Sequence, residues 1–180
     1  MQKDLADFLD QGKYLCETSV SWGTELPLKI TYCLNDKLPP LKYISSVRAI
    51  VFQGQKVIVV ANHQGEKYIL PGGRVEEGES PLDTLHREVL EETGWAIKET
   101  GLLGFMYFHH LAEKPAGYRY PYPDFIWSIY TAEAVRFDDS AIQPDDYVRE
   151  SRFRNIDEVA ALALEEGQLL LLDAALRLRS

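Results

Sequence analysis

The sequence predicts an α/β protein of the α+β type. Three observations predict this class: apolar strand-like runs fill the first part of the chain, a strongly capped helix follows near residue 81, and the residues after 155 have a leucine-rich helical pattern. Strands and helices do not alternate regularly, so a parallel sheet of repeated strand–helix units is not expected. With 180 residues, 46% of them hydrophobic, the chain suits one globular domain with a short appendage.

The appendage is residues 1–42, which we interpret as an N-terminal extension. Apolar residues at helical spacing predict a short amphipathic helix at 3–11. Strand-like runs at 14–20 and 26–33 flank a glycine-containing turn and predict a β-hairpin. Two consecutive prolines then end the segment, because proline cannot continue a β-ladder.

The main domain is predicted to span residues 43–180. It contains a second group of strand-like runs, a glycine-rich loop at Gly72 and Gly73, and helices at its end. The predicted strands lie at 45–52, 56–61, 101–109 and 125–137, and the last helix lies at 169–178.

The helix at 81–93 has the clearest boundaries in the chain. Ser80 is a typical N-cap, Pro81 suits the first helical position, and Asp83 completes a pair that resembles a capping box. Gly94 suits the C-terminal stop. The sequence therefore fixes where this helix begins and ends.

Two faces of this helix differ in character. An apolar stripe is expected to face the core; it consists of Leu82, Leu85 and Val89. Glu88, Glu91 and Glu92 fall within about 100° of arc on a neighbouring face. An acidic face is ordinarily solvated, but these carboxylates follow a glycine-rich loop that brings backbone carbonyls close. Such oxygen ligands suit Mg²⁺.

The spacing of these residues carries a resemblance. From Gly73 the chain reads G-x5-E-x7-R-E-V-x-E-E-x-G-W, which resembles the signature of the Nudix hydrolases. The signature covers residues 73–95, which we call the box. Its fixed positions are Gly73, Glu79, Arg87, Glu88, Val89, Glu91, Glu92 and Gly94. Trp95 stands where the family usually has an aliphatic residue. We interpret this departure as a change in packing that leaves the chemistry unchanged.

The resemblance implies a fold and a reaction. The fold is a mixed β-sheet sandwiched between helices, in which the box forms a loop–helix–loop. The reaction is hydrolysis of a nucleoside diphosphate linked to another moiety, by attack of water on phosphorus, with Mg²⁺ or Mn²⁺ as cofactor. Metal ions would neutralise the acidic face, polarise the phosphoryl oxygen and activate water.

The resemblance also implies roles for individual residues. The metal ligands would be the carbonyl of Gly72 and the carboxylates of Glu88, Glu91 and Glu92, with Glu88 as a candidate base. Arg87 would pair with Glu79 or Glu91 and hold that glutamate in place; the alternative is an ordinary helix salt bridge. Catalytic roles fall on Glu88, Glu92 and Arg87, and structural support falls on Gly73, Glu79 and Gly94.

Glu150 is a further candidate. It lies in a Glu-x-Arg-aromatic pattern ending at Phe153, which many family members share before their last helices. There the glutamate can be a metal ligand or the general base. The alternative, a solvated loop acid, is equally open from the sequence.

The segment at 109–124 is long for a loop, and long loops are often functional. Tyr118, Tyr120 and Tyr122 are candidates for stacking on a base, and Arg119 or Lys114 for contact with phosphate. The alternative is a rigid proline–tyrosine loop that packs on its own domain.

Composition restricts partners and location. The formal net charge is −9, with a pI near 4.9, so nucleic acid is not expected as a partner. No apolar run approaches the roughly 20 residues of a membrane span, and the first residues are acidic rather than apolar. Two cysteines are too few for a zinc site or a disulfide framework. We expect a cytoplasmic protein with a small nucleotide-type substrate.

Three questions stay open at this point. A catalytically idle nucleotide sensor is the alternative to an enzyme, although every box glutamate is present. A DNA-binding regulator is disfavoured by the charge and by the short chain outside the box domain. The N-terminal extension is a candidate surface for a homodimer, by analogy with relatives alone.

Overall fold

The structure, a computed structural model, describes residues 2–22, 26–118, 121–143 and 148–179. The predicted turn of the N-terminal hairpin lies outside these residues. The helices are α1 (Lys3–Leu9), α2 (Pro81–Thr93), α3 (Ile156–Ala160) and α4 (Glu166–Arg179). The strands are β1 (Lys13–Trp22), β2 (Leu26–Leu34), β3 (Ile44–Gln53), β4 (Lys56–Asn62), β5 (Lys67–Tyr68), β6 (Gly72–Arg74), β7 (Trp95–His110), β8 (Asp124–Phe137) and β9 (Val148–Asn155).

Within the described residues the strands form one mixed sheet. Its main order is β1-β2-β7-β8-β3-β4-β5, while β6 pairs with β3 and β9 pairs with β4. The pairing of β3 with β8 is parallel and the other pairings are antiparallel. The predicted class, α/β with a mixed sheet between helices, is therefore confirmed.

The core has an apolar layer on each face of the sheet. Along β3, Val47 and Ala49 face the layer that includes α2, and Ile50 faces the layer that includes α4. This alternation follows from the two-residue period of a strand. Leu171 of α4 and Leu85 of α2 are fully buried in their respective layers. The two helices thus cover opposite faces.

The N-terminal hairpin belongs to the same sheet. β2 pairs with β7 from Leu28 opposite His110 to Leu34 opposite Gly104. The predicted first helix is present, and its Leu5 and Phe8 are buried; the ring of Phe8 lies 4.9 Å from that of Phe105. The extension therefore shares a core with the strands that follow it.

Two local expectations were wrong, and one strand was not predicted. The glycine-rich "loop" at Gly72 and Gly73 is the short strand β6, paired with β3. Leu82 is 44% exposed, because the apolar layer beneath α2 begins at Leu85. β9 was not predicted because three arginines and one acid leave it with only two apolar residues. None of the described helices is long and apolar enough to cross a membrane.

Candidate active site

α2 is bounded by the predicted caps. The Oγ of Ser80 accepts a hydrogen bond from the amide of Asp83 at 3.2 Å, and Gly94 ends the helix in the left-handed conformation with φ 74°. A glycine suits this position because side chains disfavour positive φ. These caps fix the start of the helix, and so the direction in which the carboxylates of Glu88, Glu91 and Glu92 (the box glutamates) project.

Arg87 is the centre of an ion-pair network. Its Nε and Nη2 each lie 2.7 Å from an oxygen of Glu79, in a two-pronged contact. Its Nη1 donates to Glu88 at 2.9 Å and to Glu91 at 3.2 Å. Arg87 thus contacts both glutamates that the resemblance names as its partners. The hydrogen bonds from Arg87 lower the pKa of Glu79 to about 2.

The backbone of β6 lies directly against two box glutamates. The amide of Gly72 donates to Glu92 at 2.8 Å, and Glu92 is buried. A Cβ at Gly73 would lie 2.2 Å from a carboxylate oxygen of Glu88, so only glycine leaves room for that carboxylate. Ser46 of β3 holds this strand in place, since its Oγ donates to the carbonyl of Gly73 at 2.7 Å.

The local charge is strongly negative. Four carboxylates, those of Glu79 and the three box glutamates, lie around the guanidinium of Arg87 or against β6. Burial raises the pKa of Glu88, and the neighbouring charge of Glu91 raises it further, while Arg87 opposes the rise. Burial disfavours the charged form, as expected for a carboxylate shielded from water.

The box glutamates do not form a closed metal site in this arrangement. Across residues 2–22, 26–118, 121–143 and 148–179, no three His, Cys, Asp or Glu side chains are grouped closely enough to hold one ion. Arg87 and the amide of Gly72 instead occupy oxygens of the box glutamates. The oxygen-only donors and the excess negative charge still suit a hard divalent cation, if carboxylate oxygens exchange these contacts for the ion.

Glu150 lies on β9, opposite Ala61 of β4, and not in a loop. Its carboxylate is 48% exposed and bonds the guanidinium of Arg152 at 2.9 Å. Glu150 and Glu92 line the same cavity, of about 230 Å³, beside the C-terminal end of α2. The fold therefore brings Glu150 to the box helix.

The tyrosines of the long loop have different surroundings. Tyr122 stacks on His110 with ring centres 4.9 Å apart, and its hydroxyl donates to the carbonyl of Ala112, so it packs within its own loop. Tyr118 lines a cavity, and its hydroxyl lies 3.2 Å from Nε2 of His110. Arg119 and Tyr120 lie outside the described residues.

Two larger cavities share a wall formed by Arg48 and Trp127. The first, of about 470 Å³, we call the aromatic cavity. Its walls include Ser46, Arg48, Arg74, Tyr118, Phe125 and Trp127. The second, of about 520 Å³, we call the polar cavity. Its walls include Arg48, Asn62, Glu66, Glu165, Gln168 and Trp127.

Arg48 and Trp127 were not predicted as site residues. The guanidinium of Arg48 lies over the indole of Trp127 at 4.3 Å, and its Nη1 donates to the carbonyl of Leu70 at 3.0 Å. Arg48 is also opposite Gly72 in the β3–β6 pair, which joins this wall to the box. The sequence does contain one signal for Arg48, which is the only charged residue in the apolar run 44–52.

Comparison with protein families gives a match over most of the chain. The model of the NUDIX domain matches residues 42–175. The match begins where the N-terminal extension ends.

Two relatives match over shorter segments. A probable DHNTP pyrophosphohydrolase of Lactococcus lactis is 40% identical over 72 residues, which are 40% of this chain and 43% of that protein. A putative ADP-ribose pyrophosphatase of Bacillus subtilis is 33% identical over 76 residues, which are 42% of this chain and 36% of that protein. The chain thus spans less than half the length of these curated relatives.

A solved structure supports the fold. The NUDIX domain of NrtR from Shewanella oneidensis, complexed with ADP-ribose, has a TM-score of 0.56 and 21% sequence identity, over 76% of this chain and 88% of that chain. At this identity the likeness concerns the fold alone.

Proposed function

The chain belongs to the Nudix family, and we propose that it is a metal-dependent pyrophosphohydrolase that cleaves a nucleoside diphosphate linked to another moiety. One observation carries the proposal: the complete box forms an acidic cluster around Arg87, next to a cavity that contains Arg48 and Arg74. Guanidinium groups bind phosphate oxygens, and carboxylates bind divalent cations.

The cofactor of the proposed reaction is Mg²⁺ or Mn²⁺. Glu88, Glu91, Glu92 and the carbonyl of Gly72 would hold it. When bound, such an ion neutralises phosphate charge and makes the attacking water more acidic.

The protein's own residues would organise the rest of the reaction. Glu79 restrains Arg87, which in turn holds Glu88 and Glu91 in place. Arg48 and Arg74 would draw the diphosphate toward the box. The carboxylate that takes the proton from water is Glu88 or Glu150 in this proposal, because both lie close to other box residues.

Turnover with a matched pair of variants tests the proposal. Purified protein with Mg²⁺ or Mn²⁺ would be offered nucleoside triphosphates, ADP-ribose, nucleotide sugars, dinucleoside polyphosphates and coenzyme A, with products separated by chromatography. We expect metal-dependent cleavage that Glu92→Gln abolishes, although a glutamine oxygen can still accept the amide of Gly72. Glu77→Gln is the control, because Glu77 is exposed and occupies a variable position of the box.

The same turnover assay, applied to glutamine variants of Glu88 and Glu150, separates the roles of these two residues. A lost metal ligand is rescued by higher Mg²⁺ or Mn²⁺ concentration, whereas a lost base lowers kcat at every metal concentration. Ligand binding without turnover in the wild-type protein would contradict the proposal and favour the idle sensor.

Location and assembly are further proposals. We propose a cytoplasmic protein, without nucleic acid or membrane partners, in which residues 1–42 extend the family domain and contribute to a homodimer. The test is the mass in solution by light scattering over a range of concentrations. A constant mass near 20.5 kDa would contradict the dimer.

A further inference from the structure

The two cavities beside the box differ in chemistry. The aromatic cavity is walled by Phe125, Tyr118 and Trp127, together with Arg48 and Arg74. Flat aromatic rings and cations suit a nucleobase and its phosphates. This cavity is therefore suited to the nucleotide part of a ligand.

The polar cavity presents hydrogen-bonding groups. Asn62, Glu66, Glu165 and Gln168 line it. Gln168 is buried and its carbonyl oxygen accepts the amide of Ile69 at 3.0 Å, which fixes the side chain and leaves its amide group as the donor for a ligand. Amides and carboxylates arranged in this way suit a group rich in hydroxyls.

The shared wall lies where the two cavities approach the box. The guanidinium of Arg48 stacks on Trp127, and among the described residues its Nε is buried without a hydrogen-bond partner. Across the β3–β6 pair it faces Gly72, whose amide contacts Glu92. A buried donor without a partner is costly, so an anion at this junction would satisfy it.

We propose that the substrate has two bulky parts: a nucleoside diphosphate seated in the aromatic cavity with its phosphates at Arg48, and a neutral, hydroxyl-rich group, such as a sugar, seated in the polar cavity. This proposal rests on the proposed function and names its substrate class. A nucleoside triphosphate fits less well, because its additional phosphate would enter a cavity where the two carboxylates of Glu66 and Glu165 outnumber the ammonium of Lys67. It would also leave the polar cavity, of about 520 Å³, without a bulky group.

Binding measured without turnover tests the proposal. Calorimetry on the full chain, in EDTA and again with Ca²⁺ after turnover is shown to be absent, would compare matched ligands: ADP with ADP-ribose, and UDP with UDP-glucose. We expect the sugar-bearing member of at least one pair to bind about tenfold more tightly than the bare diphosphate.

Replacing either of two alanines by tryptophan tests where the sugar binds. Ala163 is exposed and lines the polar cavity, so Ala163→Trp narrows that cavity without disturbing the core. We expect this variant to lose the preference for the sugar while binding the bare diphosphate within about twofold of wild type. Ala161→Trp is the control, because Ala161 is also exposed but does not line the cavity; it should keep the preference.

The outcomes separate this inference from the proposed function. Equal affinities within every pair, or a preference that Ala163→Trp leaves intact, would overturn the two-part substrate even if the protein hydrolyses other pyrophosphates. A preference lost only in Ala163→Trp would support it even if no turnover were found with Mg²⁺ or Mn²⁺, in which case the proposed activity alone would fail.

Discussion

The box cluster and the Arg48–Trp127 wall are adjacent but are built in different ways. The box cluster comes from one continuous segment, 72–94, and charged hydrogen bonds to Arg87 hold it together. The wall joins two strands, β3 and β8, and depends on a ring contact at 4.3 Å. This difference suggests a division of labour, in which the box performs bond cleavage and the wall selects the ligand. Substitutions in the box should then lower the turnover of every substrate, and substitutions in the wall should change which ligand is preferred.

After the complete loss expected for Glu92→Gln, the largest effect is expected for Gly73→Ala. The added Cβ would meet the carboxylate of Glu88 at 2.2 Å, and this flexible group can move away at little cost to folding. Displacing a catalytic group by about 1 Å can cost about 100-fold in rate. We therefore expect kcat/KM to fall about 100-fold for every substrate in a turnover assay.

Gly101→Ala is the matched control for this variant. A Cβ at Gly101 would make only an ordinary contact, at 3.4 Å, with Thr131. It should leave turnover unchanged. A Gly73→Ala protein that is as active as wild type would show that the position of Glu88 is not critical.

A second test concerns the stability that the box network provides. Arg87→Gln leaves carboxylates without their shared cation, and such partly buried groups then repel one another. We expect the free energy of unfolding to fall by about 2 kcal/mol in urea denaturation. Arg152→Gln removes a guanidinium that bonds one exposed carboxylate, that of Glu150, and should cost less than about 1 kcal/mol. Equal losses would mean that the box network has no special role in folding.

The same difference explains what the sequence could predict. The caps of α2 and the three box glutamates follow from spacing within one helix, where geometry is nearly fixed. The wall depends on the parallel pairing of β3 with β8, which local patterns do not specify. β9 was missed because its arginines hide the alternation of a strand, and the position of Glu150 beside the box was missed with it.

A third test addresses the wall directly. Trp127→Leu removes the ring under Arg48 and part of both cavities. We expect ligand affinity to weaken about tenfold, with kcat changed much less. Phe8→Leu is the control, because Phe8 packs on Phe105 and lines none of the three cavities described above. It should lower thermal stability and leave affinity unchanged.

The smallest effect is expected for His110, the last residue of β7. Its ring is buried and lies 4.9 Å from that of Tyr122. Burial lowers its pKa, and the nearby His109 lowers it further, while Asp124 opposes the change. As the pH falls below the ordinary histidine pKa, near 6.5, this histidine is therefore protonated in the unfolded chain but still neutral in the folded chain.

It follows that this histidine stabilises the fold at neutral pH and ceases to do so in mild acid. Stability should decline as the pH falls from about 7 toward the lowered pKa of His110, and should not decline further on its account below that value. His110→Gln cannot be protonated in this range, so its Tm should depend less on pH than that of wild type. His86→Gln is the control, because His86 is exposed on α2, and it should keep the wild-type dependence. Equal slopes for wild type and His110→Gln would mean that the burial of His110 does not hinder its protonation.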